Sequence, residues 1–86
     1  MPRISQSYGI TIWMDRLDHP PPHFHAQYGE FWAGLEIGSG RVLEGWLPPR
    51  AVRLVRTWAR QHVAELDDNW QRAQALAELV AIEPLA

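Results

Sequence analysis

His23-Phe24-His25-Ala26-Gln27-Tyr28-Gly29-Glu30-Phe31-Trp32-Ala33-Gly34-Leu35-Glu36-Ile37 reads as strand, tight turn and strand. On an extended chain successive side chains point to opposite faces. Phe31, Ala33, Leu35 and Ile37 therefore make one face of the later strand, and Trp32, Gly34 and Glu36 the other. In the earlier strand His23 and His25 share a face and Phe24 takes the opposite one. Gly29-Glu30 supplies the turn between them. Such a hairpin calls for an antiparallel sheet, and its neighbours extend it. Upstream, residues 8–15 alternate Ile10, Ile12 and Met14 against Thr11, Trp13 and Asp15. Downstream, Gly38-Ser39-Gly40 closes a second hairpin onto a strand over residues 41–47. Residues 1–47 are thus expected to form a small antiparallel sheet of three to four strands.

The pattern changes at Leu47-Pro48-Pro49-Arg50, where proline in the first turn marks a helix start. From Arg50 to Glu83 there is no Gly or Pro. Ala51, Val55, Trp58, His62, Leu66, Trp70, Ala73 and Ala77 recur every three or four residues and trace one apolar stripe. One helix over about thirty residues would be roughly 45 Å long, whereas a compact domain of this size is only about 30 Å across. The expectation is two helices, with a break near Leu66 to Asp68 and Asp67 or Asp68 capping the second. A single protruding helix is the alternative, and would imply a homodimer. The fold class is α+β: one domain over residues 1–86, a β-rich half followed by a helical half over 48–83 packed on the sheet.

Composition narrows the function classes. With 86 residues the chain builds one modest core, to which association with a partner would add stability. It is 47% hydrophobic with five Trp, which argues against disorder. A net charge of −2 creates no global field for nucleic acid. The absence of Cys excludes disulfides and thiolate metal sites and fits a reducing compartment. No apolar leader or membrane-length run appears, so the expected location is cytoplasmic, away from membranes.

Chemistry concentrates in Asp18-His19-Pro20-Pro21-Pro22-His23-Phe24-His25, where three of the four histidines stand beside a carboxylate. The prolines stiffen this segment and remove backbone donors. Three readings of it stand open. His23 and His25 can ligate zinc or another divalent metal, with His19, Asp18, Glu30 or Glu44 as the third ligand. Without metal, His23, His25, His19 and Asp18 are candidate acid–base catalysts of a small hydrolase or ribonuclease, with Arg41 or Arg50 steadying a phosphate and Tyr28 or Tyr8 positioning substrate. Alternatively the imidazoles are satisfied internally by Asp18, Glu30 or carbonyls, and the corner presents a recognition surface. His62, on the apolar stripe, reads as a buried, hydrogen-bonded side chain.

Two further features suit binding. Arg50, Arg53, Arg56 and Arg60 lie on the helix face opposite the stripe, which makes either a solvated face or a docking strip for an acidic partner helix or, less favoured given the net charge, RNA. Trp13, Trp32 and Trp46 fall opposite the clearest aliphatic face of their strands, except that Trp46 shares a face with Val42, and the second sheet face is then either covered or an interface.

Asp18-His19, then Pro21-Pro22-His23-Phe24-His25-Ala26 and Tyr28-Gly29-Glu30, resemble the signature of the bacterial domain of unknown function 4160 family. Pro2-Arg3-Ile4-Ser5, Gly45-Trp46-Leu47-Pro48 with Arg50, and Trp58, His62, Glu65-Leu66 and Asn69-Trp70 match as well. Members are small prokaryotic proteins, many encoded beside another small protein in an arrangement similar to a toxin–antitoxin operon. The resemblance therefore implies an interaction protein with a cognate small partner, and it carries no catalytic assignment. Pro20, where the family pattern is variable, stiffens the corner further.

Overall fold

A computed structural model describes residues 2–85 of the protein. Five strands form one antiparallel sheet in sequence order: β1 (Arg3–Ser7), β2 (Ile10–Trp13), β3 (His23–Tyr28), β4 (Phe31–Glu36) and β5 (Val42–Trp46). Two helices follow, α1 (Pro49–Gln61) and α2 (Val63–Gln74). The α+β class and the division into a sheet half and a helical half are as the sequence leads one to expect, with one strand more.

The extra strand is β1. Its sequence, Arg-Ile-Ser-Gln-Ser, carries one aliphatic residue, and its register with β2 shifts between Arg3 and Ser5, so no alternation advertises it. Tyr8 and Gly9, expected at the start of a strand, are instead the two-residue turn between β1 and β2. Both have positive φ, 52° and 75°, which a type I′ hairpin turn requires. At the next hairpin Tyr28 pairs with Phe31 across Gly29-Glu30, and Gly29 takes φ 60°.

Register decides which side chains meet the helices. Ile12 pairs with Ala26, and Ala26 with Ala33, while Phe24 pairs with Leu35. These residues share one face and are essentially sealed from solvent, with Ala51, Val55, Trp58 and Leu66 in the same core. Phe24 and Trp58 meet edge to face at 6.0 Å and 74°, a favoured aromatic geometry. Burying side chains of this size contributes about 1.5–3 kcal/mol each.

The helical break falls at His62, four residues before the expected Leu66–Asp68. His62 leaves helical dihedrals at φ −130° and ψ 29°, and the helix resumes directly with Leu66 N–H donating to the His62 carbonyl. Asp67 and Asp68 lie inside α2 and cap nothing; Asp68 pairs with Arg72 one turn on. The apolar stripe runs through the break because a one-residue interruption keeps Trp58, Leu66, Trp70 and Ala73 against the core. The molecule spans 33 × 26 × 22 Å, so one straight helix over this region would have overrun it.

Helix α2 ends at Gln74, short of the expected Glu83. Leu76 adopts φ 58°, and Ala77 N–H reaches back to the Arg72 carbonyl at 2.8 Å, closing a Schellman motif. The tail then runs back along the sheet. Buried Asn69 clamps it with both ends of its amide: Nδ2 donates to the Val80 carbonyl and Oδ1 accepts the Val80 N–H, each at 2.8 Å. Ile82 N–H donates to the Ile4 carbonyl at 2.8 Å, so the tail covers the β1 edge. At the opposite edge, β5 ends the sheet.

Gly45 of β5 has φ 76°, and a Cβ there would stand 2.3 Å from the Trp32 carbonyl oxygen. Gly45→Ala is therefore expected to cost about 2 kcal/mol or more, read as a lowered urea midpoint with an unchanged slope. A midpoint within error of the parent would contradict this close strand contact.

Candidate functional site

The site sits where the proline corner enters β3. Because β3 alternates, the residues opposite Phe24 and Ala26 come together on the second sheet face. Trp13 pairs with His25, His25 with Gly34, and Gly34 with Glu44, so these residues lie in one row across β2 to β5. His25 stacks on Trp13 with ring centroids 5.1 Å apart and 15° between planes. Trp32 leans over from the next pair at 6.0 Å. A Cβ at position 34 would stand 3.2 Å from Glu44 Cγ and 3.7 Å from His25 Cδ2, so glycine lets the Glu44 side chain lie across the strand beside the imidazole.

His23 is held differently. Nδ1 lies 2.7 Å from the Pro21 carbonyl oxygen and Nε2 lies 3.0 Å from Asp18 Oδ2. Trp70 of α2 packs on the ring at 5.3 Å. The corner itself is tied to α2, since Gln74 Nε2 donates to the Asp18 carbonyl and Leu17 N–H to the Ala73 carbonyl. The Pro20–Pro21 peptide is cis. Burial opposes ionisation of Asp18, but the hydrogen bond from the His19 amide and the attraction of His23 outweigh it and hold the carboxyl below its usual range. Asp18 is thus an anion at neutral pH.

His23 and His25 are buried, at 3% and 6% exposure, because Trp70 covers one and Trp13 stacks on the other. His19 alone of the three is exposed; its ring lies 5.7 Å from that of His23, and its Nδ1 stands 3.5 Å from Asp18 Oδ1. The two buried rings do converge, with centroids 5.3 Å apart. Ligand-capable atoms of Asp18, His23 and His25 all lie within 4.8 Å of one another, which makes these three, among the described residues, the group able to hold a metal. His25 Nδ1 has no hydrogen-bond partner, and it is the one buried side-chain nitrogen or oxygen so placed among the described residues. Carboxylates flank the same ring: Asp15 Oδ2 is 4.0 Å from Nδ1 and Glu44 Oε1 is 3.7 Å from Nε2, both beyond hydrogen-bond length.

Beside His25 the sheet face opens into a cavity of about 500 Å³, lined also by Trp13, Asp15, Asp18, His19, Gln27, Trp32 and Glu44. No arginine and no helix residue lines it. Arg41 stands 3.9 Å from Glu36 instead. Tyr28 and Glu30 are exposed at the β3–β4 turn, and Tyr28 lines a separate depression with Arg50. Arg53 and Arg56 line another beside Trp46, and Arg56 Nε donates to the Gly40 carbonyl at 2.8 Å. Arg60 is exposed near the end of α1. His62 stays outside the cluster; half-buried at the helical break, it pairs with Glu65 and lies 5.4 Å from Trp58. Two contributors carried little sequence signal. Asp15 lies beyond the end of β2, and Trp70 reaches His23 only through tertiary packing.

A five-stranded antiparallel meander backed by two helices, with an Asp–His–His cluster at a proline corner, defines a small α+β domain with one polar site on its open sheet face. Residues 8–71 match the family described as domain of unknown function (DUF4160), and the chain belongs to that family. Neither a curated protein nor a solved structure matches it. No helix among the described residues is long and apolar enough to cross a membrane.

Both nitrogens of His23 are engaged internally, so its loss uncouples the corner from β3 and leaves Asp18 without this partner. His23→Ala is expected to cost about 2–4 kcal/mol in urea unfolding. A change below about 0.5 kcal/mol, the range of indifferent surface substitutions, would show that the imidazole does not anchor the corner.

Proposed function

We propose that the protein is a cytoplasmic partner-binding module, one component of a toxin–antitoxin-like pair, and that its cognate small protein docks on the open sheet face beside β5. The observation that carries this reading is the Trp32–Trp46 pair. These residues are Cα partners across β4 and β5, yet they stand 45% and 57% exposed. Phe31, 42% exposed and on the face of β4 opposite Trp32, packs edge to face on Trp46 at 5.1 Å, so the aromatic patch wraps the β5 edge. Exposed tryptophans held rigidly on a sheet are typical anchors of protein interfaces. The adjoining cavity contributes three carboxylates, Asp15, Asp18 and Glu44, and no arginine among its lining residues, so the docking segment is basic. The same charge disfavours an RNA phosphate at this face.

A histidine-centred hydrolase or ribonuclease is the second reading, favoured by the convergence of Asp18, His23 and His25. Against its metal-free form stand the internal engagement of His23 and a cavity lining without arginine.

Co-expression with the small protein encoded beside it tests the proposal, with complex formation and growth arrest scored together. A tag pull-down is expected to recover a stable complex. Trp32→Ala with Trp46→Ala should weaken it by about 30-fold or more, the loss of one anchor worth about 2 kcal/mol, while far-ultraviolet circular dichroism stays unchanged. A complex of undiminished affinity in the folded double variant would overturn this docking face. Growth arrest by the chain alone that vanishes in His25→Ala would favour the hydrolase.

A further inference from the structure

His23 and His25 present complementary hydrogen-bonding problems with a common solution. The Pro21 carbonyl can only accept, so the His23 Nδ1 at 2.7 Å carries a proton. The other nitrogen, Nε2, faces the Asp18 carboxylate at 3.0 Å, which is also an acceptor. Either His23 is an imidazolium, or its Nε2 lone pair and Asp18 Oδ2 face a shared cation. Asp18 Oδ1 is already engaged by the His19 N–H at 2.8 Å, which leaves Oδ2 as the oxygen turned toward His23.

His25 discriminates between these states. Its side chain is 93% buried, being 7% exposed, and its Nδ1 finds no hydrogen-bond partner. A buried imidazole nitrogen left this way costs about 1–3 kcal/mol unless something occupies it. An imidazolium at His23 does nothing for it; a cation taken up by this nitrogen together with Asp18 and His23 would satisfy it. With the proton on Nε2, facing Glu44 at 3.7 Å, the Nδ1 lone pair is available. Both rings then have the arrangement usual for metal-ligating histidine, in which the outer nitrogen faces a carbonyl or carboxylate and the inner one binds.

We propose that Asp18, His23 and His25 form a binding site for a divalent transition-metal ion of the zinc class. The donor set of two imidazoles and one carboxylate suits zinc and its neighbours and is a poor match for magnesium or calcium, which prefer all-oxygen shells. Ligands at about 2.0–2.2 Å from a tetrahedral ion stand roughly 3.5 Å from one another. Here one pair already lies at 3.0 Å and all three fall within 4.8 Å, so side-chain adjustments of about an ångström close the shell. Two ligands ride on β3, which is paired on both sides, and the third on a corner tied to α2. The fourth position opens toward the cavity and is filled by water or by the exposed His19. The site shares Asp18 with the acidic cavity beside the proposed docking face, but metal binding is read without any partner, so either proposal can fail alone.

The test uses full-length protein stripped with chelator and titrated with Zn²⁺ by calorimetry, with thermal unfolding and Co²⁺ absorption alongside. Expected are one ion per chain, a melting temperature raised by about 10 °C at a hundredfold excess over the dissociation constant, tetrahedral Co²⁺ bands, and no response to Mg²⁺. Asp18→Asn preserves shape and a hydrogen-bonding oxygen, so it tests ligation even if His25→Ala fails to fold. Each folded variant should bind Zn²⁺ at least about 100-fold more weakly, beyond the usual 10–100-fold cost of losing an outer-shell partner. Absence of Zn²⁺ binding by the parent, or parental affinity in either folded variant, would overturn the site.

Discussion

The register of β3 between β2 and β4 is the constraint on which the rest depends. One residue of slip would exchange the faces, sending Phe24 and Ala26 to solvent and His23 and His25 into the helical core. In the register observed, Phe24 meets Trp58 under the helices, while His25 lies between Trp13 and Gly34 on the other side. The hydrophobic core and the polar cluster are therefore two consequences of one pairing. Because β3 is paired on both sides, neither histidine has backbone freedom with which to leave the cluster.

The corner before β3 is a second requirement. Three consecutive prolines carry the chain from Asp18 to His23, and Asp18 is brought back onto His23 across five residues. Neither end of this loop holds itself. Gln74 and Ala73 bind it through the Asp18 carbonyl and the Leu17 amide, and Trp70 covers the His23 ring. The last turns of α2 thus support the candidate site although they contribute no ligand atom to it. The break at His62 fits this role, because α1 lies over the Phe24 face while α2 reaches the corner.

The two edges of the sheet are treated unequally. The tail, clamped by Asn69 and bonded to Ile4, covers β1. Strand β5 ends the sheet on the other side, with no tail segment bonded along it among the described residues, and carries Trp46 opposite Trp32. Uncovered edges with exposed aromatics invite association. The carboxylates of Asp15, Asp18 and Glu44 line the cavity on the open face, whereas Arg53 and Arg56 of α1 border Trp46 from the helical side.

Alternation and turn residues were enough to read β3, β4, β5, the placement of His23 and His25 on one face, and two helices in place of one. These features are local, repeating every two or every three to four residues, so a short window contains them. Strand β1 was not legible, since an edge strand with a single aliphatic residue and a shifted register has no period. The position of the helical break was not legible either, because the apolar stripe continues through it. The family resemblance lay in the histidine segment and was plain from the residues alone. What the sequence by itself determined, then, was the order of elements after β1, the opposed faces of β3, and the identity of Asp18, His23 and His25 as the chemistry-bearing group. Only the tertiary structure decided that two of those imidazoles are buried, that Trp70 covers one and Trp13 the other, and that one nitrogen of His25 is left without a partner. The physical reason is that burial and hydrogen-bond satisfaction depend on contacts between residues up to several dozen positions apart, and no local period encodes them.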